Sequence, residues 1–115
     1  MGKDFRHVKM TSFLAEGTHL DGELTIKGGI RIDGQVKGKI KSESVVFLGD
    51  SARVKADIHA EAVVSSGQVQ GSIHSTRQVQ VTNPGSIKGS IETRELVLEK
   101  GVFFDGFCKI IEPKK

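Results

Sequence analysis

The chain has 115 residues, of which 37% are hydrophobic and only 5% aromatic, with no Trp or Tyr and with 14 glycines. That length suits one domain, and the composition excludes a core of large aromatic side chains; the periodic recurrence of Val, Ile and Leu excludes disorder. The formal net charge of +3 permits an anionic partner without requiring one, and the single cysteine, Cys108, excludes an internal disulfide.

Residues 1–12 show no clean period. Lys3, Arg6 and Lys9 alternate with Phe5, Val8 and Met10. The stretch is expected to be a flexible N-terminal tail, and Lys3, Phe5, Arg6 and Lys9 make it a candidate for contact with anionic lipid. It holds no long apolar run, so neither a signal peptide nor a membrane-spanning helix is expected, and the expected address is the cytoplasm.

An ordered domain is expected over residues 13–111. Phe13 and Leu14 open it, and strands are predicted from Thr18. Leu20, Gly22, Leu24 and Ile26 alternate with polar residues, a Gly28-Gly29 turn follows, and alternation resumes from Ile30 to Ile40. A period of two marks a strand with one dry and one wet face. The block Val-Lys-Gly-Lys-Ile at 36–40 then recurs as Val-Lys-Ala-Asp-Ile at 54–58, Val-Gln-Gly-Ser-Ile at 69–73 and Ile-Lys-Gly-Ser-Ile at 87–91. The block starts are 18, 15 and 18 residues apart.

A second short strand follows each block: Val45-Val46-Phe47-Leu48, Ala62-Val63-Val64, Val79 with Val81, and Leu96-Val97-Leu98. Turn formers separate the repeats, Asn83-Pro84-Gly85 most clearly. Short strands recurring at this spacing predict an all-β, single-domain parallel β-helix of roughly five to six coils. Gly22, Gly38, Ala56, Gly71, Gly89 and Gly106 are expected to form one inward column of small residues.

Residues 102–111 make the last coil and hold three of the six Phe residues; residues 112–115 are expected to be a short flexible tail. No amphipathic helix is visible to cover this end. A bare solenoid end exposes unpaired strand edges and apolar core, so it is expected to bind another copy.

The run from Thr18 to Leu24, the run Ile32-Asp33-Gly34-Gln35-Val36-Lys37-Gly38-Lys39-Ile40, the Gly-Ser-Ile blocks and Glu95–Leu98 resemble the bactofilins, polymer-forming bacterial cytoskeletal proteins. The resemblance spans about residues 13–111. It implies a right-handed helix with short disordered tails. It also implies nucleotide-independent, non-polar filaments joined like end to like end, serving cell shape or envelope organisation beside cell-wall-modifying enzymes. A membrane-binding segment at the N-terminus, at the cytoplasmic face of the inner membrane, is a further implication. By position, Phe103, Phe104, Phe107 and Ile110 fall at the C-terminal junction, and Phe13, Leu14 and Leu20 at the N-terminal one. One of Phe103 and Phe104 is expected to face out.

No phosphate-binding loop, nucleophile elbow, zinc-binding helix motif or spaced cysteine cluster is present. No catalytic residue, cofactor site or metal site is assigned, and neither nucleotide nor nucleic acid is an expected partner. His59 and His74 occupy equivalent places in their blocks and are expected to stack on the outer surface. They carry the alternative reading, a left-handed hexapeptide-repeat acyltransferase or zinc enzyme, although two His fall short of a catalytic zinc set. A membrane-surface adaptor acting through residues 1–12 is another alternative. Lys37, Lys39 and Lys41 are expected to point outward, with Lys55 and Lys88 in register with Lys37. They are read as a solvated face that also blunts lateral sheet pairing, the alternative being a basic stripe for nucleic acid or lipid.

Overall fold

The computed structural model describes residues 10–111, with side chains from Ser12 onward. Ten strands make up this region: β1 (Met10–Leu14), β2 (His19–Ile26), β3 (Gly29–Ile32), β4 (Gln35–Ser42), β5 (Val45–Leu48), β6 (Arg53–Ser65), β7 (Gln68–Val81), β8 (Ser86–Thr93), β9 (Glu95–Leu98) and β10 (Phe103–Ile110). No helix occurs among the described residues.

All pairings are parallel and fall into two ladders. The long ladder runs β2, β4, the first part of β6, the first part of β7, β8 and β10. The short ladder runs β1, β3, β5, the second part of β6, the second part of β7 and β9. Each coil takes one rung from each ladder, so the chain is a parallel β-solenoid of about six turns.

Stacking places like residues on like. Val36, Val54, Val69 and Ile87 form one buried column of the long ladder, and Ile40, Ile58, Ile73 and Ile91 form another. The short ladder adds Ile30, Val46, Val63 and Val79. Each such side chain gains roughly 1.5–3 kcal/mol on burial, and β-branched residues suit the pleated surface. Slender aliphatic columns explain how a core forms with so few aromatics.

The uneven repeat length arises at the corners. Between the short-ladder strand and the long-ladder strand of a coil lie residues 15–18, 33–34, 49–52, 66–67, 82–85 and 99–102. The same two coil-to-coil hydrogen bonds flank long and short corners alike: Gly49 N–H donates to Ile32 O at 2.9 Å and Arg53 N–H to Gly34 O at 3.1 Å. The two extra residues of a long corner close on themselves, as where Ala52 N–H donates to Gly49 O and Gly85 N–H to Thr82 O. At the opposite corner Ser42, Ser75 and Thr93 are buried, and each hydroxyl donates to a backbone carbonyl, Ser75 Oγ to Glu61 O at 2.7 Å.

Two expectations change. Gly22, Gly38, Gly71 and Gly106 are exposed rather than inward. The strand turns at this column instead of running straight: Gly38 has φ +124° and Gly89 φ +139°, a region that side-chain-bearing residues avoid. A Cβ on Gly38 would run into the carbonyl oxygen of Gly22 one coil below, and a Cβ on Gly89 into that of Gly71. Only Ala56, 6% exposed, follows the inward reading. The glycines therefore serve a bend that brings backbones together, and they divide each long-ladder strand into two halves with different outer surfaces.

The second change is at the start. Met10–Leu14 is already a strand, paired with β3, so the ordered region begins inside the stretch expected to be a tail and before Thr18. Its alternation is hidden because a polar residue, Ser12, takes the place in register with buried Ile30.

Candidate assembly surfaces at the two ends

Among the described residues, β9 pairs only with β7 and β10 only with β8, while β1 pairs only with β3 and β2 only with β4. The outer edges of these four strands therefore present backbone N–H and C=O groups with no rung beyond them among the described residues. Such edges are templates for further strand pairing.

The C-terminal end is the more apolar. Phe104 is in register with Ile87 and Cys108 with Ile91, so both top inward columns of the core. Ile110 lies over buried Thr93. On β9, Leu96 and Leu98 top the columns of Val79 and Val81. Phe104, Cys108 and Leu96 pack against the core from above yet stay only partly buried, and Leu98 and Ile110 are exposed. From the sequence, Leu96 and Leu98 were placed on a strand and Cys108 was read as a small buried hydrophobe of the last coil; none of the three was assigned to the junction. Their signal was the register with buried Val79, Val81 and Ile91.

Phe103 and Phe107 lie elsewhere. Phe103 continues the outward column of Ser86, and Phe107 that of Ser90. They are 52% and 68% exposed. Of the adjacent pair, Phe103 is the outward residue and Phe104 the one over the core. The four residues assigned together to this junction thus divide, Phe104 and Ile110 on the end face and Phe103 and Phe107 on its rim.

At the N-terminal end, Leu14 lies under Ile32 and Leu20 under Val36, both part-buried against the core. Leu24 joins them under Ile40 and was missed in the same way. Phe13 is paired with Arg31 on the outward side and is 60% exposed, so it is a rim residue here. Lys3, Phe5, Arg6 and Lys9 lie outside the described residues.

Midway along the stack, His59 and His74 stack as expected, with ring centroids 4.6 Å apart and planes inclined by 11°. His74 Nδ1 donates to Glu92 Oε1 at 2.9 Å. Burial, then neighbouring His74, Lys39 and Lys41, lower the pKa of His59 below its ordinary value against the opposing pull of Asp57. Among the described residues no group of three or more His, Cys, Asp or Glu side chains is placed to hold a metal ion. No described helix is long and apolar enough to cross a membrane.

A family model described as "Bactofilin: Polymer-forming cytoskeletal" matches residues 12–109. Bactofilin BacO of Myxococcus xanthus (strain DK1622) is 30% identical over 87 residues, covering 76% of this chain and 69% of BacO. Bactofilin BacP of the same organism is 28% identical over 87 residues, covering 76% of this chain but 36% of BacP. Among solved structures, that of the cytoskeletal bactofilin BacA, obtained by solid-state NMR, is similar with a TM-score of 0.77 and 30% identity, covering 90% of this chain and 96% of that one.

Proposed function

The chain belongs to the bactofilin family of polymer-forming cytoskeletal proteins, and from that premise we propose that it is a non-enzymatic scaffold whose rods join end to end through their terminal coils. The observation that carries this reading is the coincidence, at each end, of an open parallel strand edge with apolar side chains topping the core columns. Leu96, Leu98, Phe104, Cys108 and Ile110 present such a surface at one end, and Leu14, Leu20 and Leu24 at the other. Covering each of the larger ones contributes roughly 1.5–3 kcal/mol, offset in part by the cost of association.

Strand pairing and apolar burial need no phosphate chemistry, so assembly proceeds without nucleotide. The polymer supports cell shape or envelope organisation from the cytoplasmic side of the inner membrane. There it positions cell-wall-modifying enzymes, with Lys3, Phe5, Arg6 and Lys9 as the lipid-contacting residues. The uneven coil lengths and the family membership favour this over a hexapeptide-repeat enzyme.

Negative-stain microscopy and sedimentation of the purified chain without nucleotide test the reading. Filaments that pellet are expected. A monodisperse monomer at high concentration overturns it.

A further inference from the structure

The lateral surface before the glycine bend carries a feature that end-to-end joining does not use. In the outward columns of this surface, Lys37, Lys55 and Lys88 share one column, and Arg53 lies in the next. The remaining positions of the same two columns on β4, β6, β7 and β8 are Gln35, Gln68, Gln70 and Ser86. So these eight positions hold four cations, four neutral hydrogen-bonding groups and no carboxylate.

Two adjoining cavities of about 480 and 340 Å³ share Arg53 and Lys55 and form one groove along the rod. The residues after the bend, including His59 and His74, line a separate cavity. Thus Lys37 and Lys41 line different cavities, although they are on one strand.

The four cations have no ionic partner among the described residues. The ion pairs there are Arg31 with Asp33, Arg77 with Glu61 and His74 with Glu92. Blunting of lateral strand pairing does not account for the cations, because backbone groups of these inner coils are already paired along the rod axis on both sides. Four cations against a single lining carboxylate, Asp21 at one end, favour a ligand of opposite sign.

The groove also has ends. Asp21 lies one coil below Lys37 and Asp105 one coil above Lys88. Four coils at about 4.8 Å spacing span roughly 14 Å between first and last, the reach of about four or five extended residues. A longer polyanion would run over Asp21 or Asp105. A bilayer meets a flat or convex surface rather than a recess, and no Phe, Tyr or Trp lines the groove for base stacking, His19 at one end being its single ring.

We propose that this groove binds a short, extended acidic peptide segment of a partner protein, its carboxylates on Lys37, Arg53, Lys55 and Lys88 and its backbone on the glutamine amides. The four cations lie on β4, β6 and β8, inside the terminal coils, so they are available on both free and assembled protein.

Fluorescence anisotropy with a short labelled peptide of alternating Glu and Ser tests this on the full chain. Binding that weakens as salt rises is expected. Lys55→Glu should weaken it about tenfold or more, whereas Lys41→Glu, with the same change in net charge but beyond the bend, should change it less than about twofold. Circular dichroism and sedimentation of both variants separate loss of the site from loss of fold or assembly. If Lys55→Glu does not fold, Lys55→Gln with Lys88→Gln replaces it, with the same direction expected. No binding up to about 1 mM, where at most about 4 kcal/mol of affinity remains, overturns the proposal. So do equal losses in the Lys41 and Lys55 variants, or tighter binding through the same side chains by an oligonucleotide or by anionic vesicles.

Discussion

Phe103 and Phe104 are chain neighbours that belong to different surfaces: Phe104 caps the column of Ile87, and Phe103 stands beside Ser86 on the flank. The end-joining reading therefore makes unequal demands on the two. Phe104→Arg puts a charge where the next rod must dock, and burying an unpaired charge is costly. It should abolish pelleting, while Phe103→Arg should leave a substantial polymer fraction. Sedimentation of both variants at matched concentration checks this, and equal pelleting of both would remove Phe104 from the junction.

Cys108 offers a chemical readout of the same surface. It tops the Ile91 column on the last coil, and burial raises the pKa of its thiol. Less thiolate means slower alkylation than for a free cysteine. Docking of another rod should slow it further, by about tenfold or more if the contact excludes the reagent. Iodoacetamide labelling followed by mass spectrometry, on polymer and on the Phe104→Arg variant, measures the difference.

Gly89 tests the bend in the stack. Alanine there must adopt φ +139° and must also push against the backbone of Gly71. Gly22 has a similar φ, +141°, yet a Cβ on it meets nothing within 4 Å. Gly22→Ala should cost about 1–2 kcal/mol for backbone strain alone. Gly89→Ala should cost more, about 3 kcal/mol or above, because close packing adds to strain. Chemical denaturation of assembly-blocked variants gives both values.

His59 makes the fold sensitive to acid. Its pKa is lowered in the folded state, so the unfolded chain takes up the proton first as pH falls. Its effect on stability is absent well above the ordinary histidine value near 6.5 and grows as pH drops through that value to the lower folded one. Protonation of His59 sets like charge beside Lys39 and Lys41. Thermal melts should show a midpoint falling with pH across this window, and His59→Gln should flatten part of the slope. An unchanged slope in His59→Gln would assign the acid sensitivity to other groups.

The strand ladder was legible in the sequence because its signal is local. Val36, Val54, Val69 and Ile87, aligned by block, are the residues found in register, and stacked identical environments require stacked similar residues. The same alignment placed Lys55 and Lys88 over Lys37, and His74 over His59. The glycine column was misread because alternation assumes a straight strand. A bend at Gly38 leaves the period of two intact while turning its small member outward. β1 was missed because a terminal rung has one neighbour and needs only half the apolar pattern. The cationic groove was half visible, since the lysine column shows in the register. Its depth depends on the bend, which sets Lys37 in a different cavity from Lys41 and the His74–Glu92 pair.

The coexistence of two-residue and four-residue corners in one stack has a practical side. Because identical hydrogen bonds flank both kinds, the ladder is indifferent to what the chain does between them. Residues 49–52 and 82–85 are thus natural splice points: a guest loop inserted there would be displayed at a fixed height on the rod, and in an assembled filament it would repeat along the length as regularly as the subunits themselves.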